Sequence, residues 1–148
     1  MYFPNLPYWK DGDLYHSETL AIFRSICRKY RPEYLGRTLA EQSRADAFGA
    51  SLAEKFANWK YNHVFPYDFE DKVEEGIAQA MDILNNVVAC IGEGPCLAGE
   101  LTYVDFGLMF ELSVMKLYAP FLIDDNATLT AYMERMMSLG NVADSIKE

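Results

Sequence analysis

The chain has 148 residues, 51% apolar and 24% charged, and its 13 basic against 22 acidic side chains give a net charge of −9. That charge repels phosphate backbones and anionic lipid, so nucleic acid and membrane surfaces are poor partners. With no apolar run approaching the ~18 residues of a membrane span, the composition is that of one globular domain, and a collagen, a disordered tail and a membrane protein are excluded. Ten tyrosines, nine phenylalanines and two tryptophans supply bulky core material. Cys27, Cys90 and Cys96 form no recognisable disulfide framework, and Met1-Tyr2-Phe3-Pro4-Asn5 lacks the basic and apolar stretches of a secretory signal. A reducing, cytoplasmic setting is expected.

The first residues are short, aromatic and broken by Pro4 and Pro7, and Lys10-Asp11-Gly12-Asp13 is a turn signal. A small hairpin is predicted, with strands Tyr8-Trp9-Lys10 and Leu14-Tyr15-His16. From Ser17 the spacing becomes helical, with Leu20, Phe23, Cys27 and Tyr30 on one side, until Arg31-Pro32 and Gly36 end the helix. A second helix is predicted over residues 38–60, its inward stripe formed by Ala45, Phe48, Leu52, Phe56 and Trp59, with Glu41, Arg44, Lys55 and Lys60 in water. The third, over residues 68–91, carries Val73, Ile77, Met81, Leu84, Val87 and Ile91 on one face and stops at Gly92-Glu93-Gly94-Pro95.

Residues 103–118 are apolar nearly all round, the pattern of a central helix wrapped by others. Its start reads as a capping box between Thr102 and Asp105, with Leu101 and Phe106 as the hydrophobic staple. Two shorter helices, over residues 126–138 and 141–147, bring the total to five or six after one hairpin.

Motifs for catalysis or metal binding are sparse. His16 and His63 share no ligand spacing with the cysteines, so no metal site is assigned, and no nucleophile elbow, P-loop or dinucleotide fingerprint is present. One constellation remains: Leu6-Pro7 just ahead of a strand, and His16-Ser17-Glu18 at a strand-to-helix junction. Backbone donors at a helix start plus a serine hydroxyl suit a carboxylate, though the same serine suits a plain N-cap. Pro7 alone reads equally well as an ordinary turn proline.

Phe3-Pro4-Asn5-Leu6-Pro7-Tyr8, Asp11-Gly12, His16-Ser17-Glu18, Arg44-Ala45-Asp46 and Leu97-Ala98-Gly99-Glu100-Leu101-Thr102-Tyr103-Val104-Asp105-Phe106, with residues 132–147 closing the series, follow one another in an order that resembles the cytosolic glutathione S-transferases, the mu class first and the sigma class next. The resemblance implies a mainly α fold in two parts: residues 1–34 as a truncated thioredoxin-like portion, a β-hairpin plus helix, and residues 35–148 as the all-helical C-terminal domain. It implies glutathione as substrate, held by the backbone of Leu6 ahead of a cis Pro7, with Asn5 beside it and Ser17 on the γ-glutamyl carboxylate. Glu54 falls where mu and sigma enzymes place an acidic residue that reaches the glutathione amine across a dimer; a solvated helix position is its other reading. His16 stands where the mu class usually has glutamine, and Val64-Phe65-Pro66 where mu enzymes offer a tyrosine to the hydrophobic substrate.

Family members open with a strand, a helix, a second strand and another helix, and their thiol-activating tyrosine lies just after the first strand. The resemblance implies that this chain starts later, so no catalytic residue is assigned and conjugation by these residues alone is expected to be weak or absent. Tyr2, Tyr8 and Tyr15 lie in the wrong segment to replace that tyrosine. The alternative expectation is a non-catalytic scaffold subunit, docked as a homodimer or in a larger assembly through an exposed strand edge. A third is a carrier that binds apolar ligands beside the helices.

Overall fold

The computed structural model describes residues 4–140. They open with an antiparallel hairpin of β1 (Tyr8–Asp11) and β2 (Leu14–Ser17), in which Tyr8 lies opposite Ser17 and Asp11 opposite Leu14. Gly12 makes the turn at φ +59°, a left-handed value that a residue without Cβ adopts freely. Helix α1 (Thr19–Tyr30) follows, and Lys29 near its end reaches back to Asp11 at 2.5 Å, tying the helix to the hairpin turn. Leu20, Phe23 and Cys27 face inward as expected, but Tyr30 is exposed. The chain leaves the helix at Arg31 for a 3-10 turn, Pro32–Leu35, and Tyr34 and Leu35 take the core positions instead.

Helix α2 (Leu39–Trp59) begins with a capping box that the sequence reading passed over. Thr38 Oγ1 accepts from the Glu41 N–H at 3.2 Å, and Glu41 Oε2 accepts in return from the Thr38 N–H at 3.2 Å. Phe56 and Trp59 are fully buried, and the chain continues past Trp59 as one π turn, Lys60–Val64. Such turns add a residue to the helical repeat and re-aim the side chains that follow.

Helix α3 (Val73–Ile91), entered through a 3-10 turn at Phe69–Lys72, buries Gly76, Ala80, Ile83, Leu84, Val87 and Ile91. This corrects the expected stripe, since Met81 is half exposed. The face is set by Gly76, whose bare Cα lets α3 close on Tyr118 and His63 and whose carbonyl accepts from Trp59 Nε1 at 2.9 Å.

Helix α4 (Tyr103–Tyr118) is the central element, burying Tyr103, Val104, Asp105, Leu108, Leu112 and Met115 and touching α1 and α2 on one side and α5 (Phe121–Asp124) and α6 (Ala127–Met137) on the other. The capping box at Thr102 and Asp105 is present. Asn126 caps α6, its Oδ1 accepting from the Thr128 and Leu129 N–H groups at 3.1 Å each. The short α5 was not anticipated, and the helix expected over residues 141–147 lies outside the described residues. No helix among the described residues is long and apolar enough to cross a membrane.

Candidate functional site

The peptide bond between Leu6 and Pro7 is cis. Leu6 is 79% exposed, and the Oδ1 of Asn5 accepts from its N–H at 2.9 Å. The pairing of Tyr8 with Ser17 sets the Leu6-Pro7 bend beside the Ser17-Glu18 junction, so the register brings together five of the six residues singled out from the sequence.

Ser17 is buried at 6% exposure as the last residue of β2. Its reading as a plain N-cap is corrected here, because the cap position of α1 is Glu18, with no side-chain cap bond. The physical reason is the ladder: pairing with Tyr8 keeps Ser17 in the strand and moves the helix start one residue on. Glu18 consequently sits at φ 73°, ψ 111°, a left-handed backbone that costs a residue with a Cβ about 1–3 kcal/mol. The first N–H groups of α1 therefore open beside a buried serine, at the positive end of a 12-residue helix. His16 is half-buried, and its Nε2 has no hydrogen-bond partner among the described residues. Glu54 is not brought to this junction. It is exposed on another face of α2, in a groove shared with Gln79 and Asp82 of α3.

Beginning at Glu18 and Thr19, a cavity of about 590 Å³ runs between α1, α2 and α4. Leu20, Phe23, Leu52, Val104 and Leu108 wall it, and its volume comes from small residues on α2: Gly49, Ala53 and Ala57 recur every fourth position and so share one face. A Cβ at Gly49 would stand 3.2 Å from Val104 and 3.3 Å from the Tyr103 hydroxyl. The sequence reading missed this cavity, although the four-residue spacing of small side chains was its visible signal.

Lys60, expected in water, is the second correction. Its side chain and that of Glu111 are each only 18% exposed, and Lys60 Nζ meets both carboxylate oxygens at 2.7 and 2.9 Å. Lys60 is still in helical register, its N–H bonded to Phe56 O, and α2 packs against α4, which carries Glu111. At the rim, Tyr61 packs edge-on to Phe65, with ring centroids 5.6 Å apart. Behind the wall, Asp46 accepts from the Tyr103 hydroxyl at 2.7 Å and from Arg24 Nε at 2.9 Å. Burial pushes the Asp46 carboxyl up, but those two donors outweigh it and hold the group below its usual range. Burial, with Asp46 alongside, drives the Tyr103 phenol well above its ordinary value. None of the three cysteines lines the cavity.

This arrangement, a cis-proline hairpin and helix leading into an all-helical domain, is the architecture of the thioredoxin-like and helical halves of a cytosolic transferase. The chain is 33% identical over 155 residues to a glutathione S-transferase of Dermatophagoides pteronyssinus, covering 99% of this chain and 66% of that protein. It is 30% identical to Glutathione S-transferase Mu 2 of Mus musculus over 149 residues, 98% of this chain and 66% of that protein. Among solved structures, the glutathione S-transferase Blo t 8 superposes with a TM-score of 0.82 at 27% identity, covering 99% of this chain and 70% of that one. A scan against protein-family models returned no match. The chain belongs to the cytosolic glutathione S-transferase family, on its mu-like side, and spans 66% of the length of these curated relatives.

Proposed function

We propose that these residues form the γ-glutamyl and cysteinyl part of a glutathione site, in a protein whose activity is conjugation of glutathione to small electrophiles in the cytoplasm. The observation that carries this reading is the juxtaposition of the cis Leu6-Pro7 bond with buried Ser17 at the uncapped start of α1. The main chain at Leu6 pairs with the extended tripeptide, the Leu6 N–H exchanging the Asn5 Oδ1 acceptor it has here for one on the ligand. The Ser17 hydroxyl and the first N–H groups of α1 receive the γ-glutamyl carboxylate, a charge the helix dipole favours. His16 flanks the same end. Glu54, remote from Ser17 within one chain, serves the amine of glutathione bound to a second copy in a homodimer.

Ionising the thiol requires a donor against the sulfur. Tyr8, which directly follows Pro7, and Tyr15 are strand residues with exposed side chains, so we assign the described residues a binding role without thiol activation. Titration calorimetry with glutathione tests the site: Ser17→Ala is expected to weaken binding about tenfold, the worth of a hydrogen bond to a charged group. Unchanged affinity would overturn it. Chlorodinitrobenzene conjugation by the same chain is expected to stay near the uncatalysed rate, and an ordinary transferase rate would overturn the second half of the reading.

A second reading, docking into a larger assembly, is favoured by one observation: Leu6, Tyr8, Leu14 and Tyr15 are all exposed on the hairpin. It predicts concentration-dependent association that Tyr8→Lys abolishes and Ser17→Ala leaves alone, as sedimentation velocity would show.

A further inference from the structure

We propose that a polar cavity between the π turn and the first half of α3 binds a linear alkyl diammonium ion, its two charged ends held by Glu75 and Asp82. The cavity adjoins the Glu54 groove, with which it shares Gln79 and Asp82, but it has no residue in common with the cavity beside α1 or with the Ser17 junction. It goes beyond the proposed function and does not rest on it.

Two buried polar groups point to a ligand here. His63, in the π turn, is 5% exposed and lies against Gly76, and its Nδ1 has no hydrogen bond among the described residues. Gln79 Oε1 is buried without a partner in the same way, and both residues line one cavity of about 550 Å³. Buried polar groups in folded proteins are nearly always hydrogen-bonded, so two exceptions lining one space select a ligand rich in donors. A neutral imidazole nitrogen and an amide oxygen both accept.

The surrounding charge has the matching sign. Glu75 and Asp82 line the cavity, and neither has an ion pair among the described residues. Glu75, in the first turn of α3, suits the helix dipole, whereas Asp82 lies mid-helix, where the dipole gives it nothing. Lys72, the one lysine or arginine on the lining, is paired with Asp68 at 3.2 Å. A net charge of −9 adds a general pull on cations.

Spacing selects which cation. Glu75 and Asp82 are two turns apart on one face of α3, about 10 Å along its axis. Ala78 lies between them and offers a methyl group to an alkyl chain. Each ammonium carries three protons and no acceptor, so the ends go to the two carboxylates, and His63 and the Gln79 oxygen accept protons that the carboxylates leave over.

Only His16 and His63 carry imidazoles, so a proton NMR titration of the 148-residue protein reads the site directly, with His16→Gln to assign the two. At pH 8, where alkylamines are charged, 1,6-diaminohexane is expected to shift the His63 ring protons saturably and to leave those of His16 unmoved. Hexylamine and 6-aminohexanoate should each bind about fivefold more weakly, the worth of one exposed ion pair. Asp82→Asn and Glu75→Gln should each bring the diamine down to the affinity of hexylamine. Gln79→Leu should weaken both amines, and Glu134→Gln, on α6 and outside the cavity, should change neither. The proposal is overturned if the His63 resonances stay still, if either single-ammonium probe binds as tightly as the diamine, or if the diamine's advantage survives in a carboxylate variant. It is equally overturned if Gln79→Leu has no effect, or if Glu134→Gln weakens binding as much as Asp82→Asn. None of these readouts involves glutathione, so the site can fail while the proposed function stands.

Discussion

Asp105 is fully buried, and its carboxylate receives the Leu97 N–H at 3.0 Å, the Thr102 N–H at 2.9 Å and the Tyr132 hydroxyl at 2.9 Å. One side chain thereby joins the loop ahead of α4, the start of α4 and the middle of α6. Asp105→Ala removes the acceptor from three buried donors at once and is expected to cost at least about 3 kcal/mol, measurable as a lower urea midpoint at unchanged slope. The Thr102–Asp105 part of this cluster was legible because its partners are three residues apart; the Leu97 and Tyr132 bonds span eight and 27 residues and carry no local mark. Ser17 shows the converse. Its residue type suits a cap, and only pairing with Tyr8 decides that it is a strand residue. Cys96 gives a pH prediction at the same scale. Burial, with Asp105 nearby, pushes its thiol from 9.0 up to about 11, so the fold favours the protonated form. The associated stability is fully present below pH 9 and is lost as pH rises toward 11. Thermal melts at pH 8 and 10.5 should therefore show a drop that Cys96→Ala diminishes, and at pH 8 iodoacetamide should label exposed Cys90 well before Cys96.

At the scale of elements, periodicity marked the long helices but not the short α5, and not always the inward face. In α3 the apolar spacing pointed to Met81, yet the helix turns Gly76 toward Tyr118 because only a residue without a side chain fits there. A Cβ at that position would lie 2.5 Å from the Tyr118 hydroxyl and 2.9 Å from His63 Cβ. Gly76→Ala is expected to destabilise by about 1–3 kcal/mol, by overpacking. Adding Tyr118→Phe, which removes a buried hydroxyl that has no hydrogen-bond partner among the described residues, should recover part of that loss, and denaturant titration of the two single variants and the double would check it. Lys60 follows the same logic at the end of α2. It keeps the regular bond from its N–H to Phe56 O, and its partner Glu111 lies 51 residues along the chain, so only the packing of α2 on α4 decides that it is withdrawn from water.

Over the whole molecule, stability is unevenly spread. Helix α4 packs against α1, α2, α5 and α6, while among the described residues β1 and β2 pack chiefly on each other and the neighbouring α1, with the partly exposed Asp11–Lys29 pair as a tie. A lone two-stranded hairpin is marginal in water, and such an ion pair adds at most about 1 kcal/mol. Hydrogen exchange should accordingly open residues 8–17 at a free energy well below that of α4, and glutathione at saturating concentration should slow the hairpin alone. The hairpin with its turn at Gly12, the succession of long helices after it and the cap at Thr102 were readable along the chain, because each depends on residues within about four positions of one another. Resemblance to a family supplied the candidate site residues and the expectation of the cis bond at Pro7. The pairing of Tyr8 with Ser17, the face of α3, the cavity beside α1 and the Lys60–Glu111 pair waited on the folded molecule. Each is a contact between segments distant in sequence, and only packing in three dimensions selects which of many compatible neighbours a side chain meets.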